Sequence, residues 1–224
     1  MNVTDPGIMQ RLREETAENH KFAESRDFEQ AMASGQLPQP LYVRMLEQRY
    51  LIHRELERQV QRLTEAHPYV ATVIEQQLLQ EPNLQADLEF FGIDVDAVKP
   101  CEATRTLIGH IQEAAERRPL SLLGFFYVFE GSKNGARIIS RFVRQAYGLN
   151  GSDGTRYLDP HGEEQRALWM AFRQRMDAAP IPAADRDAIV EAAKVTFDCV
   201  AAAGDELMAQ HAARADSGCC PFDR

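Results

Sequence analysis

Apolar residues recur along most of this chain at the spacing of amphipathic α-helices. The clearest case is a stripe with a period near 3.6 that runs from Tyr42 through Met45 to Leu63. Polar residues fill the positions between, and glycine or proline residues separate one such stretch from the next. We predict helices over residues 4–24, 38–66, 83–91, 102–117, 120–148, 162–176 and 186–210.

The same pattern gives no indication of a β-sheet. No alternating apolar run is long enough for a strand, and neither an internal repeat nor a long linker divides the chain. The hydrophobic content, 44% of 224 residues, is sufficient for the core of one large domain. We therefore predict an all-α fold, with one multi-helix domain over residues 1–212 and a flexible C-terminal tail over residues 213–224.

Charge and the length of apolar runs narrow the classes of partner. With 25 Lys and Arg against 34 Asp and Glu, the net charge of -9 argues against non-specific binding to nucleic acid, which depends on neutralising phosphates. The longest apolar run, over residues 120–129, is interrupted by Ser121 and Gly124 and is shorter than the roughly 20 residues of a membrane span. The first residues also lack the pattern of a signal peptide. We expect neither nucleic acid nor membrane as a partner.

The four cysteines indicate the compartment. Cys101, Cys199, Cys219 and Cys220 show neither a CxxC motif nor a Cys/His zinc spacing. Unpaired cysteines are typical of a reducing environment, so we expect a cytoplasmic protein.

The first candidate for chemistry is a histidine near the end of the first predicted helix. Glu24 follows His20 by one helical turn on the same face, and Arg13 precedes it by two turns. An imidazole in this setting can ligate a metal through one nitrogen while the other nitrogen donates to the carboxylate. The spacing alone is equally compatible with an ordinary helical pair between His20 and Glu24.

The second candidate is a helical segment, residues 125–136, in which aromatic residues lead into glycines. Gly131 and Gly135 lie four residues apart on one face, although each glycine inside a helix destabilises it by about 1 kcal/mol relative to alanine. A flat ligand resting on the bare backbone, with the helix bent over it, would explain the pattern. Close packing of two helices through small residues would also explain it.

Together the two segments resemble the haem oxygenase family. His20 with Ala23 and Glu24 resembles the proximal helix of these proteins. The Glu-Gly-Ser-Lys-Asn-Gly-Ala stretch at residues 130–136 resembles the distal helix of their bacterial, biliverdin-producing branch. The order and spacing of the two motifs also fit, and the resemblance extends roughly over residues 8–210.

The resemblance implies that haem is both substrate and cofactor, held between the first helix and the glycine-containing helix. His20 would be the axial iron ligand, with Glu24 as its hydrogen-bond partner. Gly131, Ser132 and Gly135 would cover the opposite face and leave room for dioxygen. The implied reaction uses O2 and electrons from a ferredoxin or a flavoprotein reductase, and it releases biliverdin, CO and ferrous iron.

Two residues in the glycine-containing segment depart from the family pattern. Ser132 stands where many members carry an aspartate, a replacement that the bacterial branch shares. Asn134 stands where that branch usually has leucine. We therefore count Asn134 among the catalytic residues with Gly131, Ser132 and Gly135, and expect its carboxamide near the distal pocket or its back wall.

The haem propionates would require cations. Arg13 and Arg173 match positions that are basic in relatives, and a guanidinium binds a carboxylate in bidentate fashion. Ala17 and Trp169 stand at positions where relatives often have lysine, which indicates a propionate site built differently. The alternative for each arginine is a solvated surface position.

A basic stretch follows the glycine motif. Lys133, Arg137, Arg141 and Arg144 are the only charged residues within the range 131–152. We predict that they dock an acidic ferredoxin or flavoprotein, because complementary charge raises the rate of encounter. The alternative is a solvated helix face.

Three other functions remain open at this stage. A non-haem di-iron oxidase would use ligands such as His53, Glu57, Glu130 and His211, but the Asp-x-x-x-His motif expected with them is absent. A thiaminase-like enzyme would need partners for a core cysteine nucleophile, and none is evident. A haem carrier without turnover is compatible with the unusual distal residues. We assign surface or packing roles to His53, Glu57, His67, His110, His161, His211, Cys219 and Cys220.

Overall fold

The computed structural model describes residues 7–216, and within this range the chain is helical, without a β-strand. The predicted all-α fold is confirmed. None of the helices in this range is long and apolar enough to cross a membrane. The α-helices are Ile8–Glu15 (α1), Ala17–Glu24 (α2), Asp27–Ala33 (α3), Gln39–Ala66 (α4), Tyr69–Val73 (α5), Glu81–Phe90 (α6), Glu102–Arg117 (α7), Leu122–Tyr147 (α8), Gln165–Ala178 (α9) and Ala183–Asp216 (α10).

The long helices lie within a few residues of their predicted bounds, and the short ones explain most of the differences. The pattern missed α3 and α5, which have only seven and five residues. It also predicted one helix where the chain forms α1 and α2. They are separated at Thr16, whose hydroxyl donates to the Leu12 carbonyl at 2.7 Å. Such a bond competes with the helical backbone ladder.

The last helix is longer than predicted. α10 continues to Asp216, beyond the predicted end of the domain at residue 212. The rest of the predicted tail, including Cys219 and Cys220, lies outside the described residues.

Buried side chains form two clusters that share α4, α8 and α10. The first, which includes Leu56, Phe125 and Phe172, fills the space between α4, α7, α8, α9 and α10. The second, which includes Tyr42 and Leu84, lies between α3, α4 and α6. The helices that carry the candidate residues are therefore fixed by packing on two sides.

Helices α8 and α10 approach each other closely at Gly124. A Cβ atom added at Gly124 of α8 would collide with the backbone carbonyl of Ile189 in α10. The backbone cannot yield as a flexible side chain would, so this position requires glycine.

We expect Gly124→Ala to lower the free energy of unfolding by at least about 2 kcal/mol, because the added methyl group must push α8 and α10 apart. Gly109→Ala is the matched control. Gly109 lies inside α7 with no atom within 4 Å of an added Cβ, so alanine there should stabilise the protein by about 0.5–1 kcal/mol. Urea unfolding followed by circular dichroism measures both, and equal effects would contradict the contact.

Candidate active site

A cleft of about 350 Å³ lies where the two buried clusters meet. Its lining comes from α2, α3, α4, α8 and α10 and from the loop before α9. Clefts of this size, walled mainly by apolar side chains with a few polar groups, are typical of small-molecule sites. The predicted site residues His20, Glu24, Gly131, Ser132 and Gly135 all contribute to this lining.

His20 has the surroundings expected of a metal ligand. Its Nδ1 lies 3.4 Å from Glu24 Oε2, and its side chain is 52% exposed. The ring packs edge-on against Phe197 of α10, with centroids 5.3 Å apart. Glu24 thus engages Nδ1 of the ring, which leaves Nε2 as the nitrogen available to a ligand.

The two glycines of α8 face different surroundings. An added Cβ at Gly135 would meet nothing within 4 Å, so this backbone borders open space. An added Cβ at Gly131 would lie 3.3 Å from the Trp169 ring of α9. Gly135 therefore leaves room in the cleft, and Gly131 admits a packed aromatic ring; that a flat ligand rests on this backbone stays a prediction.

The structure separates Ser132 from Asn134. Ser132 lines the cleft, and its hydroxyl donates to the Phe129 carbonyl at 2.9 Å. Asn134 is exposed outside the cleft lining, and its Nδ2 donates to the Gly131 carbonyl at 3.0 Å. The Asn134 carboxamide, predicted near the distal pocket or its back wall, therefore does not line the cleft, and its place among the catalytic residues stays a prediction.

Arg13 and Arg173 also lie outside the cleft lining, but both approach one side chain beside it. Burial raises the pKa of the Tyr127 hydroxyl, and the positive charges of Arg173 and Arg13 counteract that rise. The Tyr127 ring lies 5.8 Å from that of Trp169, which covers Gly131. Sequence reasoning missed Tyr127, because within an aromatic run it does not differ from a core residue.

Comparisons with known proteins decide the family. The family model described as heme oxygenase matches residues 7–202. This chain belongs to the haem oxygenase family. Heme oxygenase 1 of Synechocystis is 23% identical over 193 residues, which are 85% of this chain and 80% of that protein.

Solved haem oxygenases share the fold. The structure from Leptospira interrogans has a TM-score of 0.82 at 24% identity, covering 90% of this chain and all of that one. Heme oxygenase-1 of Synechocystis, solved in complex with heme, has a TM-score of 0.83 at 21% identity, covering 96% of this chain and 100% of that one. The predictions that the chain is a haem oxygenase and an enzyme are confirmed. The assignment to the Glu-Gly-Ser branch and the roles of single residues stay predictions.

Behind the cleft, this haem oxygenase buries His53 and Glu57, for which the sequence predicted surface or packing roles, together with Tyr157. His53 Nδ1 lies 3.0 Å from Glu57 Oε1, and His53 Nε2 lies 3.4 Å from the Tyr157 hydroxyl. The His53 ring also packs on Phe129, with centroids 4.8 Å apart. Both Phe129 and Tyr157 line the cleft. The glycine-rich loop before α9 gave no signal that Tyr157 would reach the site.

A buried ion pair on α8 lies close to this group. Lys133 Nζ lies 2.5 Å from Glu130 Oε2 and donates to the Leu78 carbonyl at 2.9 Å. Within residues 7–216, no group of three or more His, Cys, Asp and Glu side chains is arranged to hold a metal ion. The ligand set imagined for a di-iron oxidase therefore has no support in the described structure.

The predicted docking surface needs correction. Lys133 is only 3% exposed, so it cannot meet a partner protein. Arg137 pairs with Glu163, and both Arg137 and Arg144 lie 3.8 Å from Asp159 carboxylate oxygens. Arg141 alone of the four is classed as exposed. The sequence predicts one basic docking surface from these four residues because it does not show which face of the helix is covered.

The His53 cluster predicts a pH dependence of stability. Burial lowers the pKa of His53, as do the charges of Lys133 and Arg49, whereas Glu57 acts in the opposite direction. A histidine with a lower pKa in the folded chain binds fewer protons when folded. Its contribution is therefore complete above the unfolded pKa, about 6.5, and is lost as the pH falls below it.

We expect His53→Gln to weaken the decline in unfolding free energy between about pH 7 and pH 5. Urea unfolding at both pH values measures the difference. His110→Gln, at an exposed position of α7, is the control and should keep the wild-type decline. An unchanged decline in His53→Gln would show that His53 does not titrate as its burial implies.

Proposed function

We propose that this protein binds haem in the cleft and cleaves it, with O2 and electrons, to biliverdin, CO and ferrous iron. The observation that carries the proposal is the half-exposed His20 imidazole in the cleft wall, with Nδ1 toward Glu24. A carboxylate in this position fixes the tautomer that leaves Nε2 free for iron. Family membership and the fold shared with a heme-bound relative also support it.

The residues of the cleft fit haem. Gly135 borders open space, so a flat ring can approach the backbone of α8. Apolar side chains such as Val128, Phe129 and Phe197 line the cleft and suit a porphyrin. When bound, haem supplies the iron at which dioxygen is reduced and the porphyrin carbon that is oxidised. The protein supplies ligation through His20, orientation, and exclusion of bulk water.

Ser132 acts in this proposal as an acceptor rather than a donor. Its proton is engaged by the Phe129 carbonyl, so its oxygen lone pairs are what it presents to a water or ligand in the cleft. We assign the Asn134 side chain no contact with haem, since its amide bonds to Gly131 outside the cleft.

We further propose a ferredoxin or flavoprotein reductase as electron donor and a cytoplasmic location. Arg141, the exposed member of the basic stretch, supports docking of an acidic partner. The free thiols of Cys101 and Cys199 support a reducing compartment.

His20→Ala should abolish the Soret band that hemin develops on binding, because the variant removes the iron ligand without filling the cleft. Titration of the purified protein with hemin, followed by absorbance, measures the effect. His110→Ala, which alters an exposed histidine outside the cleft, should titrate like the wild type. An unchanged Soret band in His20→Ala would contradict the ligand assignment.

Addition of ascorbate or a reductase system to the hemin complex distinguishes the functions. A haem oxygenase loses the Soret band and gains biliverdin absorbance, whereas a haem carrier keeps its band. A protein that ignores hemin and co-purifies with non-haem iron would support the di-iron alternative and refute the proposal.

Arg13→Ala and Arg173→Ala should each weaken hemin binding by about three- to tenfold, because each removes one cation that we assign to the propionates. Arg117→Ala on α7 is the control and should leave the affinity unchanged. Hemin whose propionates are esterified should bind wild type and both variants alike, which separates a charge effect from a packing effect. Wild-type affinity for unmodified hemin in both variants would place the propionates elsewhere.

A further inference from the structure

Three buried side chains form a hydrogen-bonded row that begins at the cleft. Tyr157 lines the cleft, its hydroxyl lies 3.4 Å from His53 Nε2, and His53 Nδ1 lies 3.0 Å from Glu57 Oε1. The three residues are 8%, 2% and 6% exposed. We propose that Tyr157, His53 and Glu57 form a proton-transfer chain for the reaction in the cleft. This inference rests on the proposed function.

The far end of the chain is held rigidly. Glu57 Oε1 accepts the backbone N–H of Gln80 at 2.6 Å, and both Glu57 oxygens lie 3.2 Å from the backbone nitrogen of Glu81. These bonds fix the position of the carboxylate and aim it at His53. A fixed carboxylate sets which imidazole nitrogen carries the proton in the neutral ring.

The cleft end is held as firmly. The Asp87 carboxylate accepts the backbone N–H groups of Arg156 and Tyr157, both at 2.9 Å. The Tyr157 ring also meets the His53 ring edge-on, with centroids 5.5 Å apart. The hydroxyl is therefore positioned by the backbone and by ring packing, as transfer along a chain requires.

A purely structural role does not explain this choice of residues. Apolar side chains of similar volume would pack between α4 and α8 without the desolvation that burying His53 and Glu57 entails. The groups that face His53 are Glu57 and Arg49 from α4, Lys133 from α8 and Tyr157 from the loop. Burial lowers the pKa of His53, so its charged form readily gives up a proton. Clusters of this kind are concentrated at functional sites.

Ser132 is poorly suited to the same task. Its hydroxyl proton is directed to the Phe129 carbonyl. Tyr157, in contrast, connects the cleft to a buried group that titrates. Burial raises the pKa of Tyr157 to about 12. A phenol with this pKa regains a proton as soon as it has given one up, so it relays a proton without remaining ionised.

The transfer balances as follows. The Tyr157 hydroxyl gives its proton to an acceptor in the cleft, and the His53 imidazolium gives its Nε2 proton to the Tyr157 oxygen. One O–H and one N–H bond break while two bonds to hydrogen form, and no electrons are exchanged. His53 starts and ends neutral with Nδ1–H on Glu57, and the imidazolium is the transient form created when one proton is taken up for each transfer.

Two variants test the chain in the full-length protein loaded with hemin. Tyr157→Phe removes the hydroxyl and keeps the ring. His53→Gln can still bond to the hydroxyl and to Glu57 but cannot relay a proton. We expect each to slow single-turnover loss of the Soret band by at least about tenfold, with hemin affinity unchanged. Tyr147→Phe removes a half-buried phenol that bonds to the Leu37 carbonyl outside the cleft, and should react at the wild-type rate. Turnover of either test variant within twofold of wild type would overturn the proposal.

A second readout does not need turnover. In the haem-free protein, ¹⁵N NMR should show His53 with Nδ1 protonated and Nε2 as a hydrogen-bond acceptor, and Tyr157→Phe should shift the Nε2 resonance. An unshifted resonance would overturn the chain whatever the turnover. A wild-type protein that binds hemin but does not degrade it would instead overturn the proposed function, and the resonance would still decide whether the hydrogen-bonded row exists.

Discussion

The anchoring of α8 is the constraint on which the site depends. One side of this helix carries Glu130 and Lys133, a buried ion pair that also bonds to the Leu78 carbonyl. Another side approaches α10 so closely at Gly124 that no side chain fits. Because the helix is held in these two ways, its Gly135 backbone can border empty space without the helix collapsing into it. A buried ion pair contributes little net stability, but removing one partner would leave an unpaired charge.

The sequence was informative where short-range spacing along the chain determines the structure. The long apolar stripes predicted the bounds of α4 and α7, and the spacing of His20 and Glu24 predicted that an imidazole and a carboxylate share one face. The sequence was less informative where residues far apart must meet. Tyr157 joins His53 through a fold that places residues 104 positions apart in contact, and no local pattern encodes this.

Burial explains why Lys133 cannot belong to the predicted docking surface. Lys133 and Arg141 are both basic residues on α8, yet Lys133 lies inside and Arg141 outside. The two differ in whether another part of the chain covers them. That difference is a property of tertiary packing rather than of the charge itself. The Asn134 amide stays outside the cleft lining for a local reason, since a short amide on a helix readily bonds to the carbonyl three residues earlier.

The interruption at Thr16 has a thermodynamic consequence for ligand binding. His20 sits on a helix of eight residues, too short to be stable alone, which contacts α10 along its length. A ligand that binds His20 and also contacts the α8 side of the cleft gives α2 a second attachment. Binding of a ligand in the cleft and the ordering of α2 are therefore coupled. Part of the binding free energy goes into holding α2 in place.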